Sequence, residues 1–161
     1  MNDMPKPTPP GVDIFEPPNF LKAKVKVLDA PVEEIIGNAN RSLAELRTHY
    51  ETWTLEEVGR LYDLLARRWT KDTERALASD MMRRTANDMR GRGGTFEYPL
   101  ISQIAESLCE YLGRVTPAEQ REDIIRAHLD AIQAVIRQKI QGPGDATAQA
   151  IVTGLRKAAL R

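Results

Sequence analysis

The chain has 161 residues, 42% apolar and 29% charged, and its 23 basic and 23 acidic side chains cancel to zero net charge. This is the size and balance of one soluble globular domain, and zero net charge excludes whole-surface attraction to DNA or lipid while leaving room for a local patch. No apolar run approaches a membrane span, no signal-peptide pattern opens the chain, and the single Cys109 allows neither an intrachain disulfide nor a cysteine metal cluster, so a reducing cytoplasm is the expected location.

Six of the ten prolines fall within the first 20 residues, which predicts an extended or disordered arm over residues 1–28. Its last part, "FLKAKVKVL", alternates Lys22, Lys24 and Lys26 with apolar residues and reads as an extended segment, because no second strand is at hand to pair with it. From Asp29 the signals turn helical and continue to residue 161. A first helix over 29–53 has Asp29 as N-cap, Pro31 in its first turn, and Ile35, Ile36, Ala39, Leu43 and Leu46 as its apolar side. A second opens at Thr54 with Glu57 three residues on, the spacing of a capping box. A third runs from about Thr70 to Gly91. A fourth starts near Tyr98-Pro99, with Leu100, Ile101, Ile104, Leu108 and Leu112 facing inward. A fifth opens at Thr116-Pro117 and carries Ile125, Leu129, Ile132, Ile136 and Ile140 until "QGPGD" stops it; a last short helix occupies 145–160. The expected fold class is all-α, a helical bundle with short connections.

The third helix separates into two sides at 100° per residue. Ala78, Met81, Met82, Thr85 and Met89 cluster on one, with Leu77 on its flank, which predicts a buried face. Asn87 lies nearly opposite, with Arg83 one turn before it, Arg90 one turn after and Arg84 beside it; Asp80 and Ala76 continue the line. Gly91, at i+4 from Asn87, removes a side chain from above it. Arginines suit the C-terminal half of a solvated helix through the macrodipole, which is the plainer account of the strip. A glycine costs about 1 kcal/mol relative to alanine within a helix, so its use here points to close approach by something else. A helix C-cap competes for that explanation, although Gly93 or Gly94 can fill it.

The stretch "NDMRG" followed by "RGGTFEYPL" resembles the signature of the histidine phosphotransfer (Hpt) domain, His-x-x-Lys-Gly on the second helix of a four-helix bundle, and the similarity runs on through "SLCEYL". It implies an Hpt-like core over about residues 54–140, with additional N- and C-terminal helices within 29–161. It also implies a place in two-component phosphorelay signalling, with a response-regulator receiver domain or a sensor histidine kinase as partner. In that family the histidine carries a phosphoryl group, the lysine steadies it, and the small residue after the lysine lets the receiver dock. Carried over singly, Arg90 stands at the lysine, Gly91 at the glycine and Asn87 at the histidine. The last departure decides the chemistry. A carboxamide nitrogen has its lone pair delocalised into the carbonyl and does not accept a phosphoryl group, whereas an imidazole does. The expectation is a degenerate Hpt protein that binds without relaying phosphate and is not an enzyme. Asn87, Arg90 and Gly91 mark the docking face, and Arg83 and Arg84 extend its basic rim toward an acidic receiver pocket.

His128, in "IIRAHLDAIQAVI", is the rival acceptor; its flank position suits a half-buried histidine with one hydrogen-bond partner. An active relay through His128 stands as one alternative. Another is a helical adaptor using Arg83, Arg84, Arg90 and Arg92 for a protein or nucleic-acid partner, the latter disfavoured by zero net charge and the lack of a binding motif. His49 ends the first predicted helix and reads as a dipole partner. Cys109 and the methionines read as core. Neither histidine has a second ligand at metal spacing, so no metal is expected, and without a Gly-Lys-Ser/Thr after a strand no nucleotide cofactor either.

Overall fold

The computed structural model describes residues 31–160; the arm 1–28, its alternating segment and the expected cap at Asp29 lie outside the described residues. Among those described the chain is all-helical. The helices are α1 (Val32–Ala66), α2 (Asp72–Gly93), α3 (Pro99–Arg114), α4 (Glu122–Arg137) and α5 (Ala146–Ala159). No described helix is long and apolar enough to cross a membrane.

The expected break at Thr54 is absent, and the first two predicted helices are one. Nothing between Gly37 and Gly59 interrupts a helix, and the threonines there are absorbed by it. Thr48 and Thr52 turn their hydroxyls back onto Ala44 O and Thr48 O, four residues earlier, at 3.3 Å each. Thr54 faces the core and is 1% exposed, so it caps nothing. His49 consequently lies in mid-helix, exposed and stacked on Trp53, rather than at a C-terminus. Helix α1 ends only at Ala66, where Trp69 Nε1 donates to Leu64 O at 3.2 Å and Arg75 donates to Trp69 O.

Residues 39–160 share one hydrophobic core. Helix α3 is its centre, packing against α2, α4 and α5. It buries Leu100, Ile101, Ile104, Leu108 and Leu112, each side chain contributing roughly 1.5–3 kcal/mol. Tyr50, Val58 and Leu61 of α1 enter the same core, as do Leu129, Ile132 and Ile136 of α4 and Val152 and Leu155 of α5. Residues 31–38, the first described part of the chain, are exposed throughout.

Helix α4 starts later and ends earlier than the sequence suggested. Thr116 does cap a turn, its hydroxyl donating to Glu119 Oε2 at 2.6 Å and its carbonyl accepting from Glu119 N and Gln120 N. That turn closes at Gln120, and α4 begins afresh at Glu122. At its other end α4 stops at Arg137, so Ile140 packs on the core from the following loop.

Candidate functional site

Helix α2 packs on α3 through small side chains, and this sets which of its faces is left over. Ser79, Met82, Ala86, Met89 and Gly93 are buried, spaced by threes and fours along one line. At Gly93 the approach is closest: a Cβ there would stand 2.6 Å from Ser102 Oγ, 2.8 Å from Tyr98 O and 2.9 Å from Ser102 N. The line of nearest contact therefore passes through Ala86 and Gly93, and the helix is rotated from the wheel's expectation. Met81 and Leu77, expected on or beside the core, are 48% and 63% exposed. Met82 and Met89 stay in the core as expected, but close approach at Ala86 and Gly93 turns the helix far enough to leave Met81 outside.

On the outer side Arg83, Arg84, Asn87, Arg90 and Gly91 are all exposed. The Asn87 carboxamide and the Arg90 guanidinium have no hydrogen-bond or ion-pair partner among the described residues. Asn87, Asp88 and Gly91 line an open groove with Arg92 and, from α1, Glu57. A Cβ on Gly91 would meet nothing within 4 Å, and its backbone is helical. Neither packing nor conformation requires glycine at this position. Gly94, the C-cap, has φ −64° and so is not the left-handed cap that glycine usually supplies.

The arginines around Asn87 are not a free basic strip. Arg83 and Arg84 each reach one oxygen of Asp80, at 3.0 and 2.7 Å. The Arg83 hydrogen bond, helped by Arg84, holds the Asp80 carboxyl below its ordinary value. Arg92 turns to α1, with Nη2 2.7 and 2.8 Å from the two Glu57 oxygens and Nε donating to Asp88 O. Glu57 was missed at the sequence level because its spacing from Thr54 imitates a capping box.

The run after Gly91 builds the turn from α2 to α3 and fastens it to α1. Tyr98 N donates to Gly93 O at 2.7 Å, Phe96 stacks on Tyr50 with ring centroids 4.5 Å apart, and Glu97 is held by Arg47 at 2.7 Å. The Tyr98 hydroxyl donates to Glu51 Oε1 at 2.6 Å; burial, then that carboxylate, push its pKa up to about 12. Burial likewise raises Tyr50, against smaller lowering by the nearby Thr54 hydroxyl and by Arg92. Neither Tyr50 Oη nor Thr54 Oγ1 completes a hydrogen bond of good geometry.

His128 lies elsewhere and deeper than the half-burial expected of it. It is fully buried, with Nδ1 donating to Ile124 O at 2.7 Å and Nε2 3.0 Å from Ser107 Oγ. A carbonyl only accepts, so Nδ1 carries the proton and Nε2 accepts from Ser107. Burial lowers its pKa, against a smaller upward push from the Ile124 bond. Both ring nitrogens are engaged, which leaves no lone pair open to a phosphoryl donor. Cys109 is half-buried beside Arg83 O.

Comparisons with protein-family models, with curated proteins and with solved structures returned no match.

Proposed function

We propose that the chain is an Hpt-like protein of two-component signalling that binds a receiver domain or a sensor histidine kinase without itself carrying phosphate. In this reading the C-terminal half of α1 with α2, α3 and α4 is the four-helix Hpt-like core of about residues 54–140. The rest of α1 and α5 are additions, and the location is cytoplasmic. The observation that carries the proposal is Asn87 exposed one turn before Gly91, over an open groove, where the fold gives no steric reason for glycine. A glycine present at a helical cost, beside an amide and a guanidinium with no partner among the described residues, fits a surface that another protein approaches closely.

The chemistry assigned to each residue is limited by its atoms. Asn87 donates and accepts hydrogen bonds toward the partner but holds no phosphoryl group. Arg90 offers a fork of N–H donors to a carboxylate of the partner. The groove over Gly91 admits the partner's backbone or a side chain. The alternative relay through His128 requires opening the core to reach a nitrogen already bonded on both sides. The nucleic-acid alternative is weakened because Arg83, Arg84 and Arg92 are each paired with a carboxylate.

Binding of candidate receiver domains and kinases to the purified chain tests the proposal. Arg90→Glu is expected to weaken binding about tenfold or more, the worth of a charged contact reversed, with helical content unchanged. Asn87→His is expected to gain acid-labile phosphate from a cognate kinase. A chain that binds no receiver and no kinase has another function.

A further inference from the structure

The core-facing side of α1 continues past the core it serves. Tyr50, Thr54, Val58 and Leu61 are buried. Toward the N-terminus the same side runs on, in steps of four and three, through Leu46, Leu43 and Ala39. There Leu43 is 50% and Leu46 44% exposed, and Trp53, on the flank of the same side, is 47% exposed. The spacing continues in the sequence to Ile36 and Val32. A 3–4 spacing holds an apolar seam in line along a helix, which suits another helix lying beside it at a shallow angle.

We propose that this face binds a second copy of the chain, the two α1 helices packing side by side as a short coiled coil. The distribution of charge argues for a like partner. Arg41 and Glu45 lie on the opposite side of the helix, with Thr48 and Thr52, whose hydroxyls are turned onto the backbone. The positions flanking the seam are Ser42 and His49 on one edge and Asn40 and Arg47 on the other. Arg47 already pairs with Glu97. A two-fold contact here sets apolar against apolar and opposes no unpaired like charges, whereas a strongly charged partner finds no counter-charge along the seam. The helix also gains from support: Asn38, Asn40 and Ser42 are weak helix formers, and a helical stretch whose apolar side is exposed is marginal in water.

Sedimentation equilibrium of the full chain over a concentration series tests this without reference to what α2 binds. The mass is expected to approach twice 18.1 kDa as concentration rises. The double variant Leu43→Glu/Leu46→Glu is expected to remain monomeric and helical, with an unfolding midpoint that, unlike that of wild type, does not change with protein concentration. If that variant loses helical signal, Leu43→Ala/Leu46→Ala is measured instead, with an expected weakening of about tenfold, or 1.4 kcal/mol. A wild-type chain that stays monomeric at its highest soluble concentration overturns the proposal, and residues 1–28 or another protein then cover the face. A double variant that dimerises as tightly as wild type overturns it equally.

Discussion

Arg92 of α2 grips Glu57 of α1 through a single guanidinium nitrogen, 2.7 and 2.8 Å from the two carboxylate oxygens, and so forms one wall of the groove over Gly91. The Glu57 side chain is 15% exposed and that of Arg92 36%, so solvent screens part of the attraction. Arg92→Ala and Glu57→Ala are each expected to lower stability by about 1–2 kcal/mol, and the double variant by little more than either. Urea unfolding of the three variants measures the coupling. Losses that simply add would show that the two side chains do not stabilise each other.

Two glycines on the same helix, two residues apart, are expected to respond oppositely to alanine. Gly93→Ala drives a methyl group into Ser102 and the Tyr98 carbonyl and should cost about 1–3 kcal/mol. Gly91→Ala adds its methyl to open space on an exposed helix and should gain up to about 1 kcal/mol. Thermal unfolding reads both. A loss at position 91 would mean that the space above it is filled within the folded chain.

His128 gives the protein a defined acid sensitivity. Its folded pKa lies below the ordinary 6.5 because burial disfavours the charged ring. At a pH under 6.5 the unfolded chain takes up a proton that the folded chain refuses. The stability this group contributes is therefore complete above pH 6.5 and falls as the pH drops toward the folded pKa, by at most about 1.4 kcal/mol per pH unit. Asp80 and Asp123, held low by Arg83 and Arg121, lose their contributions only further down, as ordinary carboxylates begin to protonate. Urea midpoints at pH 7 and pH 5.5 isolate the histidine: His128→Gln should be less stable than wild type at pH 7 but flatter between the two. Equal acid losses would assign the sensitivity to other groups.

What could be read in advance followed how much each residue depends on its neighbours. The interiors of α3 and α4 were legible because Leu100, Ile104, Leu108, Leu129 and Ile132 repeat at helical spacing and have one side to bury. The exposure of Asn87 was legible for the same reason. The continuity of α1 was not, since Thr54 with Glu57 satisfies a local capping rule that burial of Thr54 overrides. The rotation of α2 was hidden too, because a hydrophobicity wheel ranks Met81 above Ala86 and Gly93, while close helix packing prefers the small pair. The bond from Arg92 to Glu57 joins residues 35 apart and has no local signature.

Asp80 has a consequence for kinetics. By holding both Arg83 and Arg84 it cancels half of their combined charge, as Glu57 cancels that of Arg92. With Asp88 beside them, the four arginines at 83, 84, 90 and 92 face three carboxylates, so a partner diffusing toward this side meets a net of one positive charge and is only weakly steered. Association should then proceed close to the unsteered rate of about 10⁵–10⁶ M⁻¹s⁻¹ and change little as added salt shortens the Debye length below about 8 Å. Asp80→Asn releases both guanidinium groups and should make the same encounter faster at low salt and steeply sensitive to it. Stopped-flow binding at two ionic strengths distinguishes the two regimes.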